Sequence, residues 1–170
     1  RYLEGLDQEV IFRTPGMRPD VPALLEAQAR GSVVTSEMEV FFQVCPCHTI
    51  GVTGSDGKTT TTTIIASLLK AAGHNTYLGG NIGKPLLADV YGMEPQDWAV
   101  LELSSFQLMT MDLSPEIAVV TNLAPNHLDV HKSMSEYVAA KENIFIHQND
   151  DEKAVFNRDN AITHGFAETA

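Results

Sequence analysis

The feature that most constrains the fold is a glycine-rich segment between an apolar run and a helical pattern. Residues 49–52 read Thr-Ile-Gly-Val, residues 53–60 read Thr-Gly-Ser-Asp-Gly-Lys-Thr-Thr, and residues 61–69 continue as a helix. A strand, a glycine loop and a helix in this order are typical of loops that bind nucleotide phosphates. Glycines let backbone N–H groups converge on phosphate oxygens, and the helix N-terminus adds partial positive charge.

The loop departs from the pattern G-x-x-x-x-G-K-[ST] at one position, because Val52 stands where the first glycine is required. The remaining G-x-x-G-K-T-T still predicts a nucleotide-binding loop, with an ordinary strand-to-helix turn as the alternative. Lys58 would reach the outer phosphates and the Thr59 hydroxyl would ligate Mg²⁺. An acid repels phosphates, so we expect Asp56 to point away from them. The predicted nucleotide contacts are Gly54, Ser55, Asp56, Gly57, Lys58, Thr59 and Thr60.

Composition indicates a globular protein with an acidic surface. Apolar residues make up 44% of the 170 residues and the formal net charge is −11. This balance favours a packed core and argues against binding to nucleic acid or to anionic membranes. No apolar run approaches the roughly 18 residues that a membrane helix needs. We therefore expect a cytoplasmic protein without membrane insertion.

The two cysteines form the segment Cys45-Pro46-Cys47. Cysteines two positions apart rarely pair with each other, and a metal site with two thiols would need further ligands. We interpret them as reduced thiols in a reducing compartment.

Strand and helix patterns alternate along the chain, which predicts an α/β fold with a parallel, doubly wound sheet. The near-continuous apolar runs at 98–103 and 117–121 are typical of parallel strands covered on both faces. The other predicted strands lie at 9–13, 32–35, 49–52, 75–78 and 153–157, and the predicted helices at 21–30, 36–44, 59–72, 84–91 and 133–147. Asp20 is the predicted cap of the first helix, and Ser36 with Glu39 and Ser133 with Glu136 fit capping boxes. Residues 158–170 show no clear period.

Two polar residues, Glu102 and His127, lie at the edge of the predicted sheet where ligands gather in α/β folds. Glu102 lies near the end of an apolar strand, and a buried carboxylate needs a partner. That partner would be Mg²⁺ shared with Thr59, or alternatively a lysine or arginine. His127 follows the strand at 117–121 and is either a structural hydrogen bonder or a functional residue.

Lys141 falls on the apolar stripe of the helix at 133–147. The stripe consists of Met134, Tyr137, Val138, Ile144 and Phe145. A lysine in this register either extends outward to solvent or is needed inside.

Two further segments follow predicted strands. Ser104-Ser105-Phe106-Gln107 suits substrate contacts or a helix cap, and the Gly-Gly-Asn-Ile-Gly loop at 79–83 would turn the Asn81 amide toward the same crevice or act as a plain turn.

Five segments occur together and in order: 53–60, 79–83, 101–108, 122–129 and the helix that carries Lys141. In this combination the chain resembles the ATP-dependent Mur ligases of bacterial peptidoglycan synthesis. The Gly-Gly-Asn-Ile-Gly loop, the Glu-Leu-Ser-Ser-Phe-Gln segment and the Thr-Pro-Gly turn at 14–16 are similar to those of the member that adds D-glutamate to UDP-N-acetylmuramoyl-L-alanine.

The resemblance implies a three-domain, monomeric enzyme. Residues 1–47 would end its UDP-substrate domain, and residues 48–170 would begin a central ATP-binding domain of the phosphate-loop type. The rest of the central domain and the C-terminal domain would lie outside this chain, so we expect the chain alone to be inactive.

The resemblance also implies a reaction and residue roles. ATP would phosphorylate the substrate carboxylate, and the amine of D-glutamate would displace phosphate from the acyl phosphate. The implied catalytic residues are Lys58, Glu102, His127 and Lys141. Thr59 and Glu102 would bind one Mg²⁺, and His127 with a carbamylated Lys141 would serve a second. The implied substrate contacts are Thr14, Asn81, Ser104, Gln107 and His127. Asp56 departs from the asparagine usual in the family.

Three alternatives share parts of this pattern. Another Mur ligase or a folylpolyglutamate synthase would share the loop and the Lys141 helix, but the residues after Glu102 favour the D-glutamate enzyme. A nucleotide-binding module without catalysis would need neither Lys141 nor His127.

Overall fold

The computed structural model describes residues 3–124 and 131–168, which contain a five-stranded parallel sheet. Its strands are β3 (His48–Thr53), β4 (Thr76–Gly80), β5 (Trp98–Glu102), β6 (Ile117–Val120) and β7 (Lys153–Phe156). The order across the sheet is β4-β5-β3-β6-β7, with every neighbouring pair parallel. The predicted class, an α/β fold with a parallel, doubly wound sheet, is confirmed.

A separate two-stranded parallel sheet precedes the larger one. It pairs β1 (Val10–Phe12) with β2 (Val33–Thr35), and α1 (Pro22–Ala29) connects the two strands. The next helix, α2 (Glu37–Val44), buries Met38 and Phe41 in the core of the larger sheet. The two sheets are therefore linked by apolar packing as well as by the chain.

Helices cover both faces of the larger sheet. They are α3 (Lys58–Ala71), α4 (Ser105–Leu108), α5 (Met134–Glu142) and α6 (Ala161–Phe166), with a 3-10 helix at Leu87–Gly92. Val52 and Val100 face α3 on one side of the sheet and form one core there. Leu101, whose side chain points to the other side, packs into a second core with α2, α4 and α5. Burial on both faces explains the continuous apolar runs. Within residues 3–124 and 131–168, no helix is long and apolar enough to cross a membrane.

Several helix predictions need correction. Residues 84–91 do not form an α-helix: Lys84 forms a β-bridge with Gly79, so the chain stays extended and only the 3-10 helix follows. The helix predicted to reach residue 147 ends at Glu142. For α4 the sequence offered a helix cap at residues 104–107 as one of two interpretations, and α6, whose N-terminus is capped by Asn160, was not predicted.

The prediction that Asp20 caps the first helix is wrong. Val21 occupies the cap position and makes no side-chain cap bond. The Asp20 carboxylate instead pairs with Arg18 at 2.9 Å and also with Lys132. Two basic partners outcompete the backbone N–H groups for this carboxylate.

Ser36 and Ser133 cap their helices as predicted, accepting backbone N–H groups at 3.3 and 3.1 Å. The capping box at Ser133 is incomplete, because the Glu136 carboxylate binds Arg18 and the N–H of Lys132 instead.

Burial in the second core predicts a large effect of truncating Leu101, which is fully buried on β5. We expect Leu101→Ala to lower the free energy of unfolding by about 2–5 kcal/mol in urea denaturation. The control Leu68→Ala removes the same atoms from a side chain that is 65% exposed on α3 and should change stability by no more than about 0.5 kcal/mol. Equal losses would show that Leu101 does not lie in the core.

Candidate active site

The glycine loop adopts a backbone that only glycine accommodates well. Gly54 has φ 151° and Gly57 has φ 78°. A Cβ atom on Gly54 would lie 1.9 Å from the Thr121 hydroxyl oxygen. The loop therefore packs its main chain directly against the end of β6.

The end of β6 holds the loop by hydrogen bonds. The N–H groups of Ser55 and Asp56 donate to the backbone and side-chain oxygens of Asn122 at 2.9 and 3.0 Å. These two donors are thus used within the protein. The first turn of α3, residues 57–60, has no side-chain cap and presents the N–H groups that an anion would bind. Thr60 lies in this turn, and the Asp56 side chain is exposed.

Lys58 lies over the loop that precedes it. Its ammonium group donates to the carbonyl oxygens of Gly54 at 2.9 Å and Ser55 at 3.1 Å. The charge is therefore held above the main chain of the loop, where phosphates bind in loops of this type.

Glu102 is 2% exposed and is held by polar neighbours. Thr59 Oγ1 donates to one carboxylate oxygen at 2.6 Å, and Asn81 Nδ2 donates to the other at 3.0 Å. The Asn81 N–H also donates to the Glu102 carbonyl at 2.8 Å. No lysine or arginine in the described ranges forms an ion pair with Glu102. The partners of Glu102 are thus a hydroxyl and an amide group rather than a lysine or arginine, and the shared Mg²⁺ stays a prediction.

Lys141 points inward and is 1% exposed. Its ammonium donates to Thr53 Oγ1 at 2.8 Å and lies 5.1 Å from the centre of the Tyr137 ring. Burial lowers the pKa of Lys141 to about 7, with a further contribution from the charge of Lys58 and an opposing one from Glu102. The sequence left two orientations open, and the structure has the inward one.

A cavity of about 170 Å³ at the carboxyl edge of the sheet brings several predicted residues together. Its lining residues are Gly54, Lys58, Asn81, Ser104, Ser105, Phe106, Tyr137 and Lys141. A larger cavity of about 570 Å³ beside β7 contains none of the predicted residues. We regard the smaller cavity as the candidate active site, because the half-buried Lys58 and the buried Lys141 both line it and Asn81 in its wall is bonded to the Glu102 carboxylate.

Ser104 and Gln107 form a complete capping box at the start of α4. Ser104 Oγ accepts the Gln107 N–H at 3.3 Å, and Gln107 Oε1 accepts the Ser104 N–H at 3.0 Å. Of the two uses left open for this segment, the helix cap is present. Ser104 also lines the cavity, so a substrate contact remains a prediction.

Two predicted residues, Thr14 and His127, are not among the residues that line this cavity in the described part of the chain. Thr14 is exposed in a turn closed by the N–H of Met17 and does not line the cavity. His127 lies outside the described residues.

The structure adds His131 to the site, which the sequence patterns did not indicate. His131 is 2% exposed, its Nε2 lies 2.8 Å from Ser105 Oγ, and its ring stacks on Phe106 at 5.3 Å. The Ser55 hydroxyl shares a hydrogen bond of 3.0 Å with Tyr137, which joins α5 to the loop. Such contacts carry no local sequence signal, because they depend on how α5 docks.

Together, the parallel sheet, the glycine loop before α3 and the acid on the adjacent strand define an α/β domain of the phosphate-loop type. The family model described as the Mur ligase middle domain matches residues 52–170. The chain therefore belongs to the Mur ligase family.

Curated relatives refine the comparison. The chain is 58% identical over 167 residues to the UDP-N-acetylmuramoylalanine–D-glutamate ligase of Acetivibrio thermocellus, covering 98% of this chain and 36% of that protein. It is 55% identical over 168 residues to the ligase of the same name from Clostridium acetobutylicum, covering 99% of the chain and 36% of that protein. The chain thus spans little more than a third of these relatives.

Solved structures share the fold. The UDP-N-acetylmuramate:L-alanyl-gamma-D-glutamyl-meso-diaminopimelate ligase of Neisseria meningitides superposes with a TM-score of 0.66 at 16% identity, over 99% of this chain and 58% of that one. MurF ligase of Thermotoga maritima, solved with ADP, gives a TM-score of 0.63 at 19% identity, over 94% and 44%.

The burial of Lys141 predicts a pH-dependent stability. Its pKa falls from 10.5 to about 7 on folding, so the unfolded chain binds more protons between these values and stability rises with pH there. We expect Lys141 to add about 2 kcal/mol to the free energy of unfolding from about pH 7 to pH 9. Lys141→Met should lack this rise in chemical denaturation in buffer freed of CO₂. Parallel pH profiles for the two proteins would contradict the assignment.

Proposed function

We propose that the chain forms the nucleotide-binding part of an ATP-dependent ligase that adds D-glutamate to UDP-N-acetylmuramoyl-L-alanine. The observation that carries the proposal is the convergence of Lys58 and Lys141 on one cavity beside Glu102. Simple nucleotide binding does not require a second, buried lysine. The choice of substrates rests on the names of the curated relatives.

Phosphate binding is assigned to the glycine loop and the first turn of α3. The uncapped N–H groups at residues 57–60 and the helix dipole favour an anion, and Lys58 would turn from its carbonyl partners toward the outer phosphates of ATP. These groups position the γ-phosphoryl group and neutralise its charge, which are the main requirements of phosphoryl transfer.

The donors around Glu102 fit Mg²⁺, which prefers oxygen ligands. Thr59 Oγ1 and a Glu102 carboxylate oxygen are 2.6 Å apart, so both could be ligands of one ion. The Thr59 hydroxyl would then turn its proton away from Glu102 and give up this hydrogen bond. Asn81 holds the second carboxylate oxygen and fixes the orientation of the side chain. When bound, Mg²⁺ would supply positive charge beside the phosphates.

Lys141 is suited to form a carbamate. A pKa of about 7 leaves much of the amine neutral near neutral pH. The nitrogen lone pair would attack CO₂, a new N–C bond would form, and one proton would leave, giving an anion. This change would replace the repulsion between Lys141 and Lys58 by attraction, and it would supply oxygen ligands for the second Mg²⁺, with His127 as the other implied ligand.

The remaining steps follow the chemistry of amide formation. The substrate carboxylate attacks the γ-phosphorus of ATP and gives an acyl phosphate and ADP, and the D-glutamate amine then displaces phosphate. Asn81 and Ser104, which line the cavity, would contact the UDP-substrate there, Gln107 beside Ser104, and Thr14 from the turn after β1. The two reduced cysteines support a cytoplasmic location.

The role of Lys58 predicts a strong loss of activity. In the full-length protein, Lys58→Ala should lower kcat for phosphate release by about 10²–10³ fold, because the positive charge that stabilises the transferred phosphoryl group is lost. Lys70→Ala removes an exposed lysine from the last turn of the same helix and should leave kcat unchanged.

Phosphate release should depend on both UDP-N-acetylmuramoyl-L-alanine and D-glutamate. Release that is indifferent to either substrate would refute the proposed reaction.

The role of Lys141 predicts chemical rescue. Lys141→Ala should abolish activity, and added formate or acetate should restore part of it by placing a carboxylate in the vacated space. Lys141→Met keeps that space filled, so it should be inactive without rescue. Full activity of the alanine variant, or equal rescue of both variants, would remove Lys141 from the mechanism.

A further inference from the structure

At the opposite end of the larger sheet from the phosphate loop, the sulfur of Cys47 lies within 4 Å of two other sulfur atoms. Cys45 ends α2, Cys47 precedes β3, and Met93 follows the 3-10 helix. Cys45 Sγ lies 3.4 Å from Cys47 Sγ, and Cys47 Sγ lies 3.9 Å from Met93 Sδ. Neither cysteine forms a disulfide.

These separations fit a single metal ion bound by three sulfurs. Metal–sulfur bonds of about 2.3 Å in a planar triangle place the sulfurs about 4 Å apart. The distances of 3.4 and 3.9 Å from Cys47 to Cys45 and to Met93 match two sides of that triangle, and a bound ion would bring the Cys45 and Met93 sulfurs to the third. Met93 supplies the further ligand that the Cys-Pro-Cys segment lacks by itself.

The donor set indicates which ion. Thiolate and thioether sulfurs are soft ligands that select Cu(I), whereas structural Zn²⁺ requires four ligands in a tetrahedron. Across residues 3–124 and 131–168, no group of three His, Cys, Asp or Glu side chains is placed to hold a metal. A three-coordinate, soft, monovalent ion is therefore favoured over zinc.

The surroundings also favour a cation. The Asp97 carboxylate is 4% exposed and close enough to act electrostatically on Cys47. It accepts the N–H of Glu94 at 2.9 Å, which fixes its position. Cys47 and Met93 are 9% and 5% exposed, while Cys45 is only partly buried and gives an ion access from solvent.

We propose that Cys45, Cys47 and Met93 form a binding site for Cu(I). Binding makes three Cu–S bonds and releases the two thiol protons to solvent, with no change in oxidation state. The site lies at the N-terminal end of β3, so it shares no residue with the candidate active site and does not depend on the proposed ligase function.

Competition with a coloured Cu(I) chelator tests the site. The full-length protein, reduced and kept anaerobic, is titrated into the Cu(I)–bicinchoninate complex, and the loss of colour reports the copper transferred. We expect one Cu(I) per chain, with affinity lowered at least tenfold in Met93→Leu and at least a hundredfold in Cys47→Ser. Met111→Leu, which changes a methionine that is 3% exposed in the same core, is the matched control and should bind as the unaltered protein does.

Two results would overturn the site: failure of the unaltered protein to take Cu(I) from the chelator, or equal affinity in Met93→Leu and Met111→Leu. Met93→Leu conserves volume, so its result does not depend on the folding of Cys47→Ser. X-ray absorption of the copper complex should show three sulfur neighbours at about 2.3 Å. Nitrogen or oxygen neighbours in place of the third sulfur would equally refute it.

Discussion

The burial of the Glu102 carboxylate is the constraint around which this edge of the sheet is arranged. A carboxylate that is 2% exposed needs polar partners, and removing one would leave a costly unpaired charge. The parallel register sets Glu102 beside Val52 on β3 and Gly80 on β4. The first turn of α3 and the loop after β4 are thereby brought to the same side chain, where Thr59 and Asn81 supply the partners. The backbone of Gly80 also lies close to that of Glu102, because a Cβ atom on Gly80 would be 2.2 Å from the Glu102 carbonyl oxygen. A glycine is therefore needed at this position.

The site combines local positive charge with a strongly acidic chain. The net charge of −11 repels anions at a distance, but salt limits such repulsion to about 8 Å at physiological ionic strength. Lys58, Lys141 and the α3 N-terminus act within that range on anything in the cavity. Placing two lysines around one small cavity disfavours the charge on the more buried of them, and Lys141 is the one whose pKa is lowered. The charge state of Lys141 therefore changes the local charge of this cavity.

The sequence was most informative where one physical effect dominates. Continuous apolar runs predicted β5 and β6, because strands covered on both faces exclude polar side chains. Glycine spacing likewise predicted the phosphate loop, and the apolar stripe of the helix placed Lys141 on its buried face. Predictions failed where a distant partner decides the local structure: Asp20 binds Lys132 rather than capping a helix, and the bridge of Lys84 to Gly79 prevents a helix.

The candidate site was predicted less completely than the fold, since its missed members depend on docking. His131 and Tyr137 reach the site through the packing of α5 against α4 and the loop. Sequence spacing places a residue on a helix face, but it does not say which element that face meets. The third sulfur of the Cys45–Cys47 cluster was missed for the same reason, because Met93 lies 46 residues from Cys47.

An ion pair at the start of α5 titrates in a different pH range from Lys141. Glu136, in its first turn, binds Arg18 from the segment before α1 at 2.8 Å. Arg18 and the N–H of Lys132 lower the pKa of Glu136 to about 2, so this stabilisation is present above pH 4.5 and is lost only as the pH falls toward 2. The pair therefore stays ionised near neutral pH, the range in which Lys141, near the end of the same helix, gains or loses a proton. A change in the charge of the cavity thus leaves this contact between α5 and the segment before α1 ionised.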